Sequence, residues 1–443
     1  MDEGQRFQDV NRLLVRTGPL ANNGNYGSIF PEHVPFEPSA DILPFLRTAA
    51  QILVVGAGGL GCELLKDLAL LGFGQIEVID MDTIDVSNLN RQFLFRSKDV
   101  GRSKSQVAAE FVMRRVQGVK VTAHFCKIQD MDASFYRKFQ IIVLGLDSIE
   151  ARRWINSMVC SLVTYEAGPD GALTPDLSSV IPMIDGGTEG LKGHARVIFP
   201  RVSACFECTL DLFPPQVAVP LCTIAETPRN AAHCVLYAHL IQRDRDFPDS
   251  PRPDNDDPEY QQWVYLKAAE RAAAFGISGV TLTQTQGVMK NIIPAIASTN
   301  AIISAMCAAE AFKIVTNCSA YLNNNAMYMG GEGLYTPTFC YERNPTCVAC
   351  STARVELAVS PGETLHALIE RMVDDARLRF KAPSIRAEGG LRGDTLYMRG
   401  PLEAATRANL ELPMRELVRD GASLIVTDPA LPVNTTVIVR FSS

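Results

Sequence analysis

The sequence predicts an α/β protein with a doubly wound parallel sheet, a helical insertion and a small α+β domain near its C-terminal end. Three observations predict it: a strand, glycine-rich turn, helix and second strand within 51–80, a largely helical and charge-rich stretch at 209–286, and short alternating strands after residue 353. At 443 residues the chain is too long for one simple core, so two or three domains are expected.

The glycine-rich turn is the strongest local signal. An apolar strand runs into the sequence GAGGLG, and a helical pattern follows directly. Gly56 allows a tight turn, Gly58 lets the backbone approach a phosphate, and Gly61 lets the helix and strand pack closely. The helix N-terminus offers free N–H groups to an anion. The next strand ends on Asp80, whose carboxylate can accept hydrogen bonds from ribose hydroxyls. These features predict a nucleotide site in a Rossmann-like domain.

Polar residues beyond the second strand favour a nucleotide with a polyphosphate and a metal. A further buried strand, 141–146, carries Asp147 at its carboxyl end, the edge of a parallel sheet at which ligands bind. Arg91 and Lys104 suit a polyphosphate, and carboxylates suit the Mg²⁺ that accompanies it. A dinucleotide would need fewer cations and no metal ligand. Taken alone, each cation is as well explained as a solvated surface charge.

Changes in composition divide the rest of the chain. Residues 1–48 are mixed and are expected to form an arm that packs on the main domain. Residues 49–208 alternate strands and helices, and a helix within 287–350 is apolar on most faces, so it should return to the same core. Residues 209–286 are therefore predicted to be an insertion, with a solvated, mobile loop at 244–262.

The C-terminal residues 353–443 show several short strands and one early helix. This order is typical of a small α+β fold of the ubiquitin-like β-grasp kind. The stretch contains no cysteine and only one histidine, His366. It is therefore better suited to binding another protein than to chemistry.

Two CxxC pairs indicate a metal site. Cys205 and Cys208 form one pair, and Cys347 and Cys350 form the other. A two-residue gap lets both thiolates of a pair point at one ion, and two pairs give the closed tetrahedral set of a structural Zn²⁺ site. The alternative is two unrelated pairs of buried thiols. Twelve cysteines without a secretory signal suggest a reducing compartment, the cytoplasm or the nucleus.

Cys222 differs from these pairs because it stands alone, in PLCTIAETPR. A single free cysteine is usually a buried structural residue. A reactive thiolate needs an electropositive or helix-terminal setting, which the sequence pattern does not show. On the residues alone the structural interpretation is therefore favoured.

Charge and hydropathy exclude other classes of function. The net charge is −7 and the pI about 5.5, which argues against binding to nucleic acid or to an anionic membrane. No uninterrupted apolar run of about 18 residues occurs, so no membrane span is predicted.

The motifs together resemble the ubiquitin-like-modifier activating enzymes. The resemblance rests on GAGGLG, NLNRQFLFR, GRSK, GLDSIEARRWIN, PLCTIAETPR and NPTCVACS, and it covers nearly the whole chain. Within the family, the chain resembles most the catalytic subunits of the heterodimers that activate Nedd/Rub-type modifiers. The resemblance implies adenylation of the modifier's C-terminal glycine by ATP, a thioester on the enzyme, and transfer to a conjugating enzyme bound by 353–443.

The resemblance also assigns site residues. It makes Cys222 the nucleophile of a catalytic-cysteine domain at 209–286, reversing the interpretation from the residues alone. Asp80 would bind ribose, Asp147 would hold Mg²⁺, and Arg196 would lie along the modifier's tail. A cation there would repel the arginine near the C-terminus of ubiquitin; the alternative for Arg196 is a surface salt bridge. The remaining ATP-binding assignments are Gly56, Gly58, Gly59, Gly61, Asp82, Asn88, Arg91, Gln92 and Lys104.

Two alternative functions and one partner follow from the same patterns. A sulfur-carrier-protein adenylyltransferase shares the glycine turn and the CxxC pairs, but it lacks the large insertion and the β-grasp tail. An NAD-dependent oxidoreductase or a nucleotide-binding scaffold fits the glycine turn and Asp80, but fits Asp147 and the cations poorly. The chain has one glycine-turn domain, whereas the activating enzymes work with two. A homologous regulatory subunit is therefore implied, giving a heterodimer.

Overall fold

The computed structural model describes residues 3–16, 36–167, 173–212, 228, 230–248, 253–255, 257–289, 295–331, 333–351, 355–375, 377–378 and 380–442. Cys222 lies outside the described residues. The chain divides into two compact units, Met1–Leu212 with Ala295–Ser443, and Phe213–Pro294. The predicted insertion spans 209–286, and its assignment as a catalytic-cysteine domain stays a prediction.

Fifteen strands occur in the described residues. They are β1 Gln51–Val55, β2 Gln75–Ile79, β3 Lys120–His124, β4 Ile141–Leu144, β5 Tyr165–Ala167, β6 Leu173–Pro175, β7 Met183–Glu189, β8 Lys192–Ile198, β9 Asn325–Met329, β10 Thr338–Phe339, β11 Val355–Val359, β12 Ser384–Ala387, β13 Thr395–Tyr397, β14 Ser423–Thr427 and β15 Thr435–Phe441.

Fifteen α-helices occur in the described residues. They are α1 Glu3–Arg6, α2 Gln8–Leu14, α3 Ile42–Thr48, α4 Gly59–Leu70, α5 Lys104–Arg115, α6 Ala133–Tyr136, α7 Ile149–Leu162, α8 Ala231–Tyr237, α9 Arg243–Asp246, α10 Pro258–Ala274, α11 Leu282–Met289, α12 Ala297–Thr316, α13 Leu365–Asp374, α14 Glu403–Thr406 and α15 Met414–Leu417. None of them is both long and apolar enough to cross a bilayer.

The large sheet confirms the doubly wound prediction. Its order is β10-β9-β8-β7-β4-β1-β2-β3. The five strands from β3 to β7 are parallel, and β8, β9 and β10 extend the sheet with antiparallel pairing. The chain runs from β1 outward to β3 and then returns to place β4 on the other side of β1. This reversal leaves a crevice at the carboxyl ends of β1 and β4, where doubly wound sheets bind ligands.

Helix α12 closes one face of this sheet. It packs against α4, β7 and β8 and buries Ile303, Cys307 and Ala311. The prediction that an apolar helix after the insertion returns to the first core is therefore confirmed. Leu14 of α2 and Leu46 of α3 belong to the same apolar core. Because burying each such side chain stabilises the fold by about 1.5–3 kcal/mol, the described part of the N-terminal arm is anchored.

The second unit is helical where it is described. Helix α8 continues through a π-helix, Ala238–Gln242, into α9, and α10 and α11 pack with α8 around a small core. That core includes Cys234, Val264, Ala268 and Met289.

The loop predicted at 244–262 is wrong at residues 244–246, which belong to α9, and from residue 258 onward. Helix α10 begins at Pro258, and the side chain of Asp257 accepts a hydrogen bond from the Glu259 N–H at 2.9 Å. An acid at the N-cap followed by proline at the first helical position is a helix start. Tyr260 then turns inward and is buried. The high content of acids and prolines concealed this start.

The C-terminal strands form a separate mixed sheet of order β11-β15-β14-β12-β13, in which β11 and β15 are parallel. Helix α13 covers it and buries Leu365, Leu368 and Met372 in the domain's own apolar core. Thr364 caps the helix by accepting a hydrogen bond from the Ala367 N–H at 3.2 Å. The predicted β-grasp arrangement is confirmed.

Candidate functional site

The glycine turn lies at the crevice of the large sheet. Gly56 follows β1 with a φ of 96°, a left-handed conformation that favours glycine. A Cβ on Gly56 would stand 2.7 Å from the Gly145 carbonyl oxygen beyond β4, so glycine also allows these two strand ends to approach. A Cβ on Gly61 would overlap the Gly56 carbonyl, directly after β1. Gly61 therefore lets the first turn of α4 pack closely against the end of β1, as expected.

Asp80 holds the glycine turn from the end of β2. Its Oδ2 accepts a hydrogen bond from the Ala57 N–H at 2.6 Å, and its Oδ1 accepts one from the Asp82 N–H at 2.8 Å. Burial raises the pKa of Asp80, and these two hydrogen bonds act in the opposite direction. A carboxylate has about four acceptor sites. Lone pairs therefore remain for ribose hydroxyls, and ribose binding stays a prediction.

Lys104 and Asp82 form an ion pair beside this turn. Lys104 Nζ lies 2.8 Å from Asp82 Oδ2, and the lysine side chain is 11% exposed whereas the aspartate is 51% exposed. Lys104 begins α5, so its stem is fixed by the helix. A polyphosphate could replace the exposed carboxylate as the partner of this ammonium group.

Two of the predicted phosphate-binding side chains are held by local hydrogen bonds. Asn88 is buried, and its Oδ1 accepts a hydrogen bond from the Asp85 N–H at 2.9 Å. Arg91 donates to the Ser87 carbonyl at 3.1 Å.

Two neighbouring side chains converge on the glycines that begin α4. The Arg91 Cγ lies 3.6 Å from the position that a Cβ on Gly59 would occupy. The Gln92 Nε2 lies 4.0 Å from the corresponding position on Gly58. Gln92 is 3% exposed, and its Oε1 has no hydrogen-bond partner among the described residues. The stem of Arg91 and the amide of Gln92 therefore lie near the start of α4, whereas the Arg91 guanidinium donates to Ser87 and Asn90. Phosphate binding by these side chains stays a prediction.

Asp147 is exposed and is fixed through its neighbours. Ser148 caps α7 by accepting a hydrogen bond from the Ala151 N–H at 3.1 Å. On the other side, Arg152 donates to the Leu146 carbonyl at 2.6 Å. Within the described part of the chain, the Asp147 carboxylate accepts no hydrogen bond. It is therefore positioned by its backbone and open to a metal ion.

Arg152 and Asp185 form a buried ion pair next to the candidate site that the sequence analysis did not consider. Arg152 Nε donates to Asp185 Oδ1 at 2.8 Å, and both side chains are less than a tenth exposed. Burial acts to raise the pKa of Asp185, but Arg152 and His194 lower it well below its ordinary value. The arginine lies five residues after Asp147, on the first turns of the next helix, which was the available signal.

The four cysteines of the two CxxC pairs come together. Cys205 Sγ lies 3.7 Å from Cys208 Sγ and 3.6 Å from Cys347 Sγ, and Cys208 Sγ lies 3.4 Å from Cys350 Sγ. All four sulfur atoms lie within 4.8 Å of one another. Four sulfurs each about 2.3 Å from one zinc ion stand roughly 3.8 Å apart. The donor set and its spacing therefore fit Zn²⁺.

Arg196 is buried beside this cluster. It donates to the Thr209 hydroxyl, to the Ala204 carbonyl at 3.1 Å and to the Cys205 carbonyl at 2.8 Å. Only 3% of Arg196 is exposed, and burial lowers its pKa. The surface salt bridge considered for it is therefore wrong. The role in selectivity stays a prediction, and the observed contacts show that Arg196 also supports the first cysteine loop.

This chain is similar to known proteins over nearly its whole length. Residues 45–349 match the ThiF family model, and residues 358–441 match the model of the E2 binding domain. The chain is 49% identical over 444 residues to the NEDD8-activating enzyme E1 catalytic subunit of Dictyostelium discoideum, covering 98% of this chain and 96% of that protein. It is 48% identical over 448 residues to the Drosophila melanogaster protein of that name, covering 100% and 96%. The Arabidopsis thaliana protein is 50% identical over 421 residues, covering 93% and 87%.

The two matched regions correspond to the two sheets of the fold. The family model covers the large sheet with its crevice, and the second model covers the C-terminal sheet. The chain therefore belongs to the ThiF family and, within it, to the family of NEDD8-activating enzyme E1 catalytic subunits.

Proposed function

We propose that this protein activates a NEDD8-type modifier with ATP. The modifier's C-terminal glycine is adenylated, pyrophosphate leaves, and the acyl group passes to the Cys222 thiolate as a thioester and then to a conjugating enzyme. The observation that supports the proposal is the approach of the Arg91 stem and the Gln92 amide to the glycines that begin α4. The Lys104–Asp82 ion pair is linked to the same turn through Asp80, and Asp147 is exposed after β4. The match to an E2 binding domain supports the last step.

Adenylation depends on stabilising the negative charge of the phosphates and on holding the reacting groups in position. The N–H groups at the start of α4 and the side chains of Arg91, Gln92 and Lys104 stabilise negative charge on the phosphates. Asp147, fixed through Leu146 and Ser148, would hold Mg²⁺, which supplies charge neutralisation on the phosphate oxygens when bound. Asp80 orients the ribose. Together these groups align the α-phosphorus with the modifier's carboxylate.

Thioester formation splits the acyl transfer into two easier steps. The Cys222 sulfur attacks the carbonyl carbon of the acyl-adenylate, and AMP leaves with the bond electrons. The thioester keeps the acyl group activated for a second thiol, on the conjugating enzyme. We place this chemistry in the cytoplasm or nucleus, because twelve cysteines with two clustered CxxC pairs are typical of a reducing compartment. A homologous regulatory subunit completes the enzyme as a heterodimer.

One experiment tests this function against both alternatives. Exchange of labelled pyrophosphate into ATP should require the modifier, because only an acyl-adenylate returns it to ATP. A NAD-dependent oxidoreductase or a nucleotide-binding scaffold gives no exchange. A sulfur-carrier adenylyltransferase gives exchange with its own carrier, but no thioester on Cys222. Absence of modifier-dependent exchange by the chain with its partner subunit would overturn the proposal.

We also propose that the four clustered cysteines bind one structural zinc ion. Cys208 Sγ accepts a hydrogen bond from the Asn344 N–H at 3.4 Å, which favours the thiolate that zinc binds. The pairs are 142 residues apart in the sequence, so the ion joins two distant segments. Four protein ligands leave no open position for catalysis.

Loss of zinc is expected to lower the thermal stability of the protein more than it lowers the rate of adenylation. One zinc per chain should be found by mass spectrometry, and Cys350→Ser should lower the melting temperature by several degrees or more, because structural zinc contributes folding energy. The rate of pyrophosphate exchange per folded molecule should fall less than the fraction of folded protein does. Cys340→Ser removes an exposed thiol and is the matched control. A metal-free preparation of unchanged stability would contradict the zinc assignment.

Arg196→Gln is expected to raise activity with ubiquitin relative to the NEDD8-type modifier. A cation beside the modifier's tail repels ubiquitin's arginine, and such repulsion is worth several kcal/mol. Its removal should therefore raise the ratio of activity with ubiquitin to activity with the NEDD8-type modifier about tenfold or more. Arg201→Gln is the control, because Arg201 likewise donates to backbone carbonyls, of Cys160 and Ser351, without an assigned selectivity role. An unchanged ratio in the folded Arg196 variant counts against the assignment.

A further inference from the structure

Asn300 presents an unused hydrogen-bond donor at the glycine turn. It lies in the first turns of α12, and it is 2% exposed. The Thr188 hydroxyl donates to its Oδ1 at 2.8 Å, which directs its Nδ2 away from Thr188. Nδ2 has no hydrogen-bond partner within the described ranges. A buried donor without a partner costs about 1–3 kcal/mol, so its retention needs an explanation.

Gly59 shows where this donor points. A Cβ built on Gly59 would overlap the Nδ2 of Asn300. Gly59 does not have a positive φ, so its backbone does not require glycine. The lack of a side chain at Gly59 therefore allows a close contact, because a Cβ there would keep the Asn300 amide from reaching the start of α4.

The surroundings define the missing acceptor as an anionic oxygen. The N–H groups at the start of α4 and the stem of Arg91 border the same glycine, and the Gln92 amide borders Gly58. These groups are mainly donors, although the Gln92 amide also carries an unpartnered acceptor, its Oε1. The helix terminus adds a positive potential, which stabilises an anionic oxygen more than a neutral acceptor and opposes a cation.

We infer that Asn300 is a ligand-binding residue whose Nδ2 donates to an anionic oxygen seated over Gly58 and Gly59. This deepens the function proposed above and depends on it. Two sources carry such an oxygen, a phosphoryl group of ATP and the carboxylate at the modifier's C-terminus. Thr188 is a positioning residue, because its hydroxyl holds the Asn300 amide in the orientation that presents the donor.

Asn300→Ala should weaken binding of the anion about ten- to hundredfold, the worth of a hydrogen bond to a charged group. The heterodimer is assayed for pyrophosphate exchange, and ATP binding without modifier is measured by calorimetry. If the acceptor is a phosphoryl oxygen, the ATP KM and the calorimetric Kd both rise. If it is the modifier's carboxylate, the modifier KM rises and the calorimetric Kd does not. Whichever binding constant Asn300→Ala raises, Asn300→Asp should raise it further, because its carboxylate repels the anion.

Asn325→Ala is the matched control. Asn325 is 3% exposed and its Nδ2 also lacks a partner among the described residues, but it lies on β9. Both alanine variants should lose comparable thermal stability, and only Asn300→Ala should change a binding constant. If the two variants show the same KM values and Kd, the inference is wrong while the proposed function stands. If the wild-type heterodimer shows no exchange and binds no ATP, both are wrong.

Discussion

Asp147→Ala is expected to abolish adenylate formation, whereas Cys222→Ala is expected to leave it intact. The first substitution removes the carboxylate assigned to Mg²⁺. A metal ion supplies several kcal/mol of charge stabilisation and each ~1.4 kcal/mol is tenfold, so exchange should fall on the order of a thousandfold. The second substitution removes only the group that acts after the adenylate exists. Modifier-dependent pyrophosphate exchange measures both.

Two controls accompany this pair. Asp9→Ala removes an aspartate whose side chain is 94% exposed in the N-terminal arm, and it should leave exchange unchanged. Raising Mg²⁺ should restore part of the activity of Asp147→Asn more readily than that of Asp147→Ala, because an amide oxygen is still a ligand. Full exchange by Asp147→Ala at ordinary Mg²⁺ would remove Asp147 from the metal site.

Deletion of residues 353–443 is expected to stop transfer to the conjugating enzyme while leaving adenylate and thioester formation nearly unchanged. Transfer joins two cysteines on two proteins, and a tethered acceptor has an effective concentration of roughly millimolar. At micromolar conjugating enzyme, the truncated chain should therefore transfer on the order of a hundredfold more slowly. Single-turnover chase of the labelled thioester measures the step.

The C-terminal domain can be removed because its own sheet and apolar core are separate. Lys381 Nζ lies 2.7 Å from Glu150 Oε1 on α7, but both side chains are more than half exposed, and such pairs contribute about 0–1 kcal/mol. Raising the conjugating enzyme to millimolar concentration should rescue the truncated chain. Normal transfer combined with failed adenylation would instead assign the domain to the nucleotide site.

Local backbone chemistry made much of the site predictable. Gly56 needs its positive φ, and Asp80 terminates a parallel strand beside it, so both could be located before the sheet was known. The CxxC spacing likewise predicted that Cys205 and Cys350 would approach each other, since a closed metal site needs two such pairs.

Contacts between distant segments could not be predicted. Asn300 approaches Gly59 because α12 packs on α4, and no local pattern marks an asparagine inside an apolar helix as a ligand. The burial of Arg196 depends on the carbonyls of a loop eight and nine residues away. The start of α10 was missed for a different reason, because acids and prolines that cap helices also dominate loops.

Trapping the acyl-enzyme tests the central claim most directly. The chain and its regulatory subunit are incubated with ATP, Mg²⁺ and a tagged NEDD8-type modifier, and the product is digested and mapped by mass spectrometry. We predict one adduct per chain that a thiol reductant releases, attached at Cys222 and absent from Cys222→Ala. Cys340→Ala, which removes an exposed thiol elsewhere, should carry the adduct normally. A reducible adduct that persists in Cys222→Ala, or none in the wild type, would contradict the assignment of a thioester-forming activating enzyme with Cys222 as its nucleophile.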